Sequence, residues 1–469
     1  MKGREKCSRM QLCHFTRQGN PPLLNKQSSY ILILVVLVLL LELPRLKTIW
    51  KSFTKRKASA KSSKPRSLKP KSEKDCPYCQ AGHTLTIPFP ETALTPYSET
   101  KGRGGRKKKI CTHGYFCSNP DCYYYHVTDE RIHALIGYGA HGKYERIQDL
   151  YCQACQTKFT IRKHTLLYRL KTLSKIIFMS MSLLVLGIDT SALQEAMGIQ
   201  ESTLRTWLTR SGAQSRKLHE HFFQDLNLGH IQLDELWANV KEKEQAMWVW
   251  TVCEAKTKII PVLQLGARSQ QMAYSVVHEL KSRLKAGCVP IFSSDGLKHY
   301  FYALTAHFGE WVVVEGEKKL VWLIITMFQY AQVIKQQRGF RLVGVEHRML
   351  WGNAEEYRSR LKANGLSGNI NTSFVERANL TIRQSVSKLT RRTWGPAQYT
   401  SELENQLYWW LAYYHFARPH ESLRVTLPEP FLRKGKQRPR LYKKMTPAMA
   451  AGLTSRRWSV MELISYPLL

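Results

Sequence analysis

Three acids stand in the sequence where carboxylates could do metal chemistry. Asp234 sits inside an apolar stretch, His230-Ile-Gln-Leu-Asp234-Glu-Leu-Trp-Ala-Asn-Val240. Asp295 ends another, Val289-Pro-Ile-Phe-Ser-Ser-Asp295, at a turn that Gly296 makes possible. Glu376 lies in Asn371-Thr-Ser-Phe-Val-Glu376-Arg-Ala-Asn-Leu-Thr-Ile-Arg383. Carboxylate oxygens are the hard ligands that Mg2+ or Mn2+ prefers. Two such ions, about 3.5–4 Å apart, can activate a nucleophile and stabilise the leaving oxygen in phosphodiester transfer. Each acid also has a structural reading on spacing alone. A strand Asp can simply satisfy backbone donors, and Ser373-x-x-Glu376 matches a capping box, in which the Glu ties back to the helix start.

Cysteines form the second chemical pattern. Of the eleven, six fall in three short pairs: Cys76-x2-Cys79, Cys117-x4-Cys122 and Cys152-x2-Cys155. Paired spacing of this kind without a secretion signal points to zinc rather than disulfides. Between Cys122 and Cys152 lie Gly137, Gly139 and Gly142, enough for a hairpin that brings the last two pairs together. Four thiolates there close a structural zinc site with no open position for catalysis. Cys76 and Cys79 form half of a possible second zinc site, with His83, Cys111 and His113 as completing ligands; the alternative is a pair of inert surface thiols. Cys253 and Cys288, in apolar surroundings, read as core residues.

The elements that must position these groups follow from periodicity. Ile231, Leu233 and Leu236 make a strand around Asp234; Met247–Glu254 and Lys258–Leu265 read as two more, Ser269–Leu284 as an amphipathic helix, and Val289–Asp295 as a fourth strand. Three hairpin-linked strands, a crossover helix and a fourth strand are the opening order of a ribonuclease-H-like α/β fold, in which the first and fourth strands are neighbours. Asp234 and Asp295 would then face each other. Phe374, Ala378, Ile382 and Val386 recur every four residues as the buried stripe of a later helix, leaving Glu376, Asn379 and Arg383 on the other side. Upstream, Leu173–Leu186 is apolar at helical spacing. Asp189 or Thr190 can cap a short helix that closes at Gly198, and Glu201 or Ser202 starts the next. That second helix would turn Leu204, Trp207 and Leu208 inward and Thr203, Arg205, Thr206 and Arg210 outward. Helix, Gly-centred turn and helix fit a helix-turn-helix, whose second helix enters the major groove; an ordinary helical hairpin has the same pattern.

Charge names a class of partner. Seventy-one Lys and Arg against 35 Asp and Glu leave a net charge of +36 over 469 residues, which fits a polyanion such as nucleic acid. Hydrophobic residues make up 43% of the chain, which excludes global disorder. Residues 45–74 carry twelve Lys or Arg and one Glu among Pro and Ser, and 101–109 form a second basic run; both read as flexible arms or solvated linkers. Before them, Tyr30–Leu41 is an apolar run of twelve residues. As a helix it spans about 18 Å, short of a bilayer core, so a packing segment is expected over a membrane anchor or signal. The expected organisation is 1–75 apolar segment and basic arm, 76–165 zinc-binding module, 166–225 helix-turn-helix region, 226–425 catalytic domain and 426–469 basic extension.

Together, strand Asp234, Ser294-Asp295-Gly296 and Asn371-x-x-Phe-Val-Glu376-Arg-x-Asn-Leu-Thr resemble the DDE transposases of bacterial insertion sequences, and among them the insertion-sequence-one family and its relatives. Tyr414-His-Phe-Ala-Arg-Pro-His420-Glu-Ser-Leu423 is similar to the Arg-Pro-His segment that closes many transposase and integrase cores. The resemblance covers roughly residues 76–455. It implies a zinc-ribbon module and helix-turn-helix ahead of a ribonuclease-H-like core, with cleavage and strand transfer of DNA at the element's ends. Asp234 would bridge two Mg2+ or Mn2+ ions, with Asp295 and Glu376 each holding one. Arg383 and Lys388 would contact phosphates or be solvated. Expected partners are element-end and target DNA and further copies of the chain, and the expected location is the bacterial cytoplasm at the nucleoid. The apolar N-terminus departs from the family, and the long Asp295–Glu376 interval, with its hydrophobic Val321–Phe328, reads as an insertion. A non-enzymatic zinc and helix-turn-helix regulator, a structural RNA-binding protein and a nuclease on the same fold are the rival readings.

Overall fold

The structure, a computed structural model, describes residues 69–467 apart from 81–98, 101–108, 111, 113, 130–131, 242–245, 316–318, 340, 391–394 and 433–438. The basic arm before residue 69, the run 101–108 and the apolar stretch Tyr30–Leu41 lie outside the described residues. Among the described residues no helix is long and apolar enough to cross a membrane.

Strands β1 (Leu135–His141), β2 (Ile147–Cys152) and β3 (Lys158–Thr160) form a small antiparallel sheet. Its core is small: Leu135, Leu150 and Phe159 pack with Cys117, Cys122 and Cys152. So little apolar area seldom holds a fold by itself, which gives the cysteines a structural task.

Three helices follow: α1 (Ser174–Val185), α2 (Thr190–Met197) and α3 (Glu201–Phe222). The Asp189 carboxylate caps α2 by accepting from the Ala192 N–H at 2.7 Å, and α2 closes at Gly198, whose φ of 66° favours glycine. Helix α3 runs 22 residues and buries Leu204, Trp207 and Leu208, as their spacing predicts.

The central sheet has six strands: β4 (His230–Ala238), β5 (Met247–Glu254), β6 (Val262–Gly266), β7 (Ile291–Ser294), β10 (Gln329–Arg338) and β11 (Arg341–Trp351). A two-stranded hairpin, β8 (Gly309–Val312) with β9 (Val321–Ile324), stands between β7 and β10. The order across the sheet is β11-β10-β7-β4-β5-β6. Strands β4, β5 and β6 run antiparallel in sequence, whereas β7 lies parallel to both β4 and β10. The architecture is thus α/β with a mixed sheet. Strand β6 starts at Val262, later than the expected Lys258, because Lys258 takes a positive φ of 64° within an irregular link that runs from β5 to residue 261.

Helices α4 (Gln270–Arg283) and α5 (Lys298–His307) separate the strands on either side of β7, and α6 (Ala354–Ala363), α7 (Ser373–Ser385) and α8 (Thr400–Ala412) follow β11. Asp234 on β4 contacts Asn379 of α7, while its neighbour Glu235 contacts Tyr300 of α5. Since alternate strand residues point to opposite faces, α7 and α5 cover opposite faces of the sheet. Coverage on both sides explains why β4, β5 and β7 are buried nearly throughout.

Helix α8 packs along α3, and Trp409 of α8 donates from Nε1 to the Met181 carbonyl of α1 at 3.1 Å. Residues 458–466 join this core: Trp458 and Tyr466 are buried and stack at 5.1 Å between ring centres, and Trp458 packs at a tilt against Phe416.

Candidate metal centres

Strand pairing creates the acidic site. Leu233 of β4 is in register with Ser294, the last residue of parallel β7, so Asp234 and Asp295 follow side by side. Asp234, Glu235 and Asp295 each offer a carboxylate oxygen, and these lie within 4.8 Å of one another. Glu235 was not singled out in the sequence, because alternation assigns it to the face opposite Asp234. It nevertheless reaches the cluster, where Arg268 binds both it and Asp295. Its side chain, 1% exposed, accepts from Arg268 Nε at 2.8 Å and from the Tyr300 hydroxyl at 3.3 Å. Arg268 also lies 3.7 Å from Asp295 and so bridges the two acids.

Burial first, then repulsion from Asp295, pushes the Asp234 carboxyl up to about 6, with Glu376 adding repulsion and the Asn379 Nδ2 bond at 2.9 Å opposing it. Glu235 is pushed up to about 7 by burial and Asp295, against the pull of Arg268. Two desolvated carboxylates, Asp234 and Glu235, beside the more exposed Asp295 form a donor set that a hard divalent cation fits.

Gln232, two residues before Asp234 and fully buried, docks the Glu376 helix onto β4. Its Oε1 accepts from the Phe374 and Val375 N–H groups at 2.9 and 3.0 Å, and its Nε2 donates to the Asn371 carbonyl at 2.8 Å. Glu376 itself is outside the close trio. Its Oε1 accepts from Thr372 Oγ1 and from Lys335 Nζ of β10, both at 2.6 Å.

The capping-box reading of Ser373 and Glu376 is corrected. Thr372 is the N-cap without a side-chain capping bond, and the Ser373 hydroxyl donates to Asn371 Oδ1 at 2.7 Å. The buried stripe of α7 is also shifted. It comprises Val375, Ala378, Asn379 and Ile382 and continues to Val386, while Phe374 is half-buried with Lys258 Nζ 3.4 Å over its ring. Asn379, expected on the open side, is buried because it bonds Asp234.

The expected DNA contacts divide. Arg210 is exposed, donating to the Tyr168 carbonyl at 3.0 Å, and Thr203 is half-buried. Arg205 does not project freely. It pairs with Glu201 at 2.8 Å and with Glu402 of α8, and so ties α3 to α8. Lys388 is not a surface cation: it is buried with Glu402 at 3.6 Å. A helical wheel shows which face a residue takes but not that α8 covers that face. Arg383 lies half-buried on α7, one turn beyond Asn379.

The four cysteines expected to meet do so. Cys117, Cys122, Cys152 and Cys155 bring their sulfurs within 4.8 Å of one another, with Cys117–Cys155 at 3.4 Å and Cys122–Cys152 at 3.8 Å. Tetrahedral zinc with thiolates about 2.3 Å away would set neighbouring sulfurs about 3.8 Å apart. The cluster could hold such an ion. For Cys76 and Cys79 the partners differ from those expected. His83, Cys111 and His113 lie outside the described residues; the donors next to the pair are His278 of α4 and His307 of α5. Cys253 is buried as expected, but Cys288 is only half-buried. No protein-family model matches the chain, and no curated protein matches it in sequence.

Proposed function

We propose that this protein is a DDE transposase that binds the ends of a mobile element and catalyses metal-dependent DNA cleavage and strand transfer. The observation that carries the reading is the convergence of Asp234, within β4, and Asp295, just past the end of parallel β7, with Glu376 on a helix docked to β4 by Gln232. The sheet supports it. An antiparallel β4-β5-β6 meander, a helical crossover, and β7 parallel to β4 follow the order of a ribonuclease-H-like core. The net charge of +36 favours DNA, and α2–Gly198–α3 has the form of a helix-turn-helix that would present Thr203 and Arg210. The Cys117–Cys155 cluster is then a zinc-ribbon module beside it.

Asp234 and Asp295 would hold Mg2+ or Mn2+, with Glu376 as third ligand. Bound there, the ions would make a water or 3′-hydroxyl nucleophilic and stabilise the leaving oxygen. The chain's own groups set the stage. Asn379 orients the Asp234 carboxylate, Arg268 holds Glu235 against Asp295, and Lys335 keeps Glu376 beside the pair. The test is incubation of the full chain with DNA carrying the sequences that flank its gene, plus Mg2+. End cleavage and joining to a target duplex are expected; binding without either would leave a DNA-binding regulator, and hydrolysis without joining a nuclease.

A further inference from the structure

We propose that Cys76, Cys79, His278 and His307 bind a second, structural zinc ion that clamps the segment around residues 69–80 onto the helices behind the acidic site. Two cysteines come from a single helical turn, Pro77–Gln80 and the residue before it; the histidines come from α4 and from the last residue of α5. Cys76 Sγ lies 3.3 Å from His307 Nε2, and Cys79 Sγ lies 3.3 Å from His278 Nδ1. All four donor atoms fall within 4.8 Å of one another. Tetrahedral zinc, with bonds of about 2.3 Å to sulfur and about 2.0–2.1 Å to nitrogen, would place sulfur and nitrogen about 3.6 Å apart.

Ligand orientation supports the assignment. His307 Nδ1 donates to the Ala303 carbonyl at 2.7 Å, which fixes the tautomer and leaves the Nε2 lone pair facing Cys76. Cys76 and His307 are buried, and two thiolates with two imidazoles select zinc over hard cations. Four protein ligands leave no open position, so the ion would hold structure rather than catalyse. The clamped segment is seated by independent contacts. Lys71 N–H donates to Thr305 Oγ1 at 3.1 Å, and Lys74 Nζ lies 4.4 Å over the Trp311 ring.

The clamp bears on the acidic site through two helices. Helix α5 begins at Lys298, three residues after Asp295, carries Tyr300 against Glu235, and ends at His307. At about 1.5 Å per residue, its ten residues put the zinc about 15 Å behind the acids. Helix α4 follows directly after Arg268, the residue bridging Glu235 and Asp295. Fixing α4 to α5 at the rear therefore fixes the two elements that deliver Arg268, Asp295 and Tyr300 at the front. The ligands lie up to 231 positions apart in sequence, too far for a spacing motif to join them.

Zinc content can be read without any assay of activity, so this inference stands or falls apart from the transposase reading. The full chain, purified without added metal, is analysed by elemental mass spectrometry and zinc K-edge X-ray absorption. Two zincs per chain are expected, one with four sulfurs and one with two sulfurs and two nitrogens, averaging three sulfurs and one nitrogen per zinc. His278→Ala with His307→Ala should leave one zinc in an all-sulfur shell. A wild-type chain whose zinc shell contains no nitrogen overturns the proposal, and this readout does not depend on whether the double variant folds.

Discussion

Gly212, in the middle of α3, marks where that helix crosses α8. A Cβ there would lie 2.4 Å from Asn405 Cα and 2.5 Å from Asn405 Cβ. Ordinary contact begins at 3.4 Å, so the shortfall is 3.4 − 2.4, or 1.0 Å. Because the obstructing atom is backbone, no rotamer change relieves it; the helices must part. Parting them also strains Arg205–Glu402, Arg216–Glu404 and the Trp409–Met181 bond. Two effects compete in Gly212→Ala. Helix propensity favours alanine by about 1 kcal/mol, whereas overpacking costs about 1–3 kcal/mol. The clash should win, lowering stability by up to about 2 kcal/mol, and Gly212→Leu should lower it further. Exposed Ala213 next to it is the control: Ala213→Gly should lose only the propensity, about 1 kcal/mol. Thermal unfolding of the three variants reads the order. A Gly212→Ala protein melting above wild type would mean that propensity acts unopposed and that α3 does not pack against α8 as described.

Two further outcomes are expected. Cys152→Ser should cost one zinc per chain and unfold the β1-β2-β3 sheet rather than loosen it, since ligand binding there supplies folding energy; a full complement of zinc by mass spectrometry would contradict this. Burial pushes the His230 imidazole down to about 3, below its ordinary 6.5. The unfolded chain therefore takes up that proton first, so stability falls as pH drops from about 6.5 toward 3, by at most on the order of 5 kcal/mol. His230→Gln should flatten stability against pH across that window, and an unchanged slope would show that His230 does not titrate this way.

What the sequence disclosed was local. Alternation and four-residue spacing located β4, β5, β7 and α7 to within a few residues, and Asp189 and Gly198 bounded α2, because such signals lie within a single element. The Cys117–Cys155 grouping was legible for the same reason, its ligands being close pairs around a glycine-rich hairpin. Contacts between distant elements were not. His278 and His307 became candidate ligands only where α4 and α5 meet the Cys76 turn. Glu235 looked like an ordinary strand residue until Arg268 and Tyr300 enclosed it, and Gln232 until it met the start of α7. Arg205 and Lys388 looked solvent-facing because nothing in their own helices shows that Glu402 lies opposite. The Val321–Phe328 interval became the β9 strand and the approach to β10, a paired hairpin beside the sheet.

In the proposed function, Asp234, Asp295 and Glu376 hold the metal for DNA strand transfer. Asp234→Asn, Asp295→Asn and Glu376→Gln each remove one charged ligand and nearly preserve shape. The measurement is strand transfer of labelled element-end DNA in Mg2+, beside end binding and melting temperature for each variant. Each substitution should abolish cleavage and joining while binding and melting stay near wild type. A fully active Glu376→Gln protein would assign the third ligand to another acid, with Glu235 next in line. Cleavage and joining retained by Asp234→Asn would contradict the account.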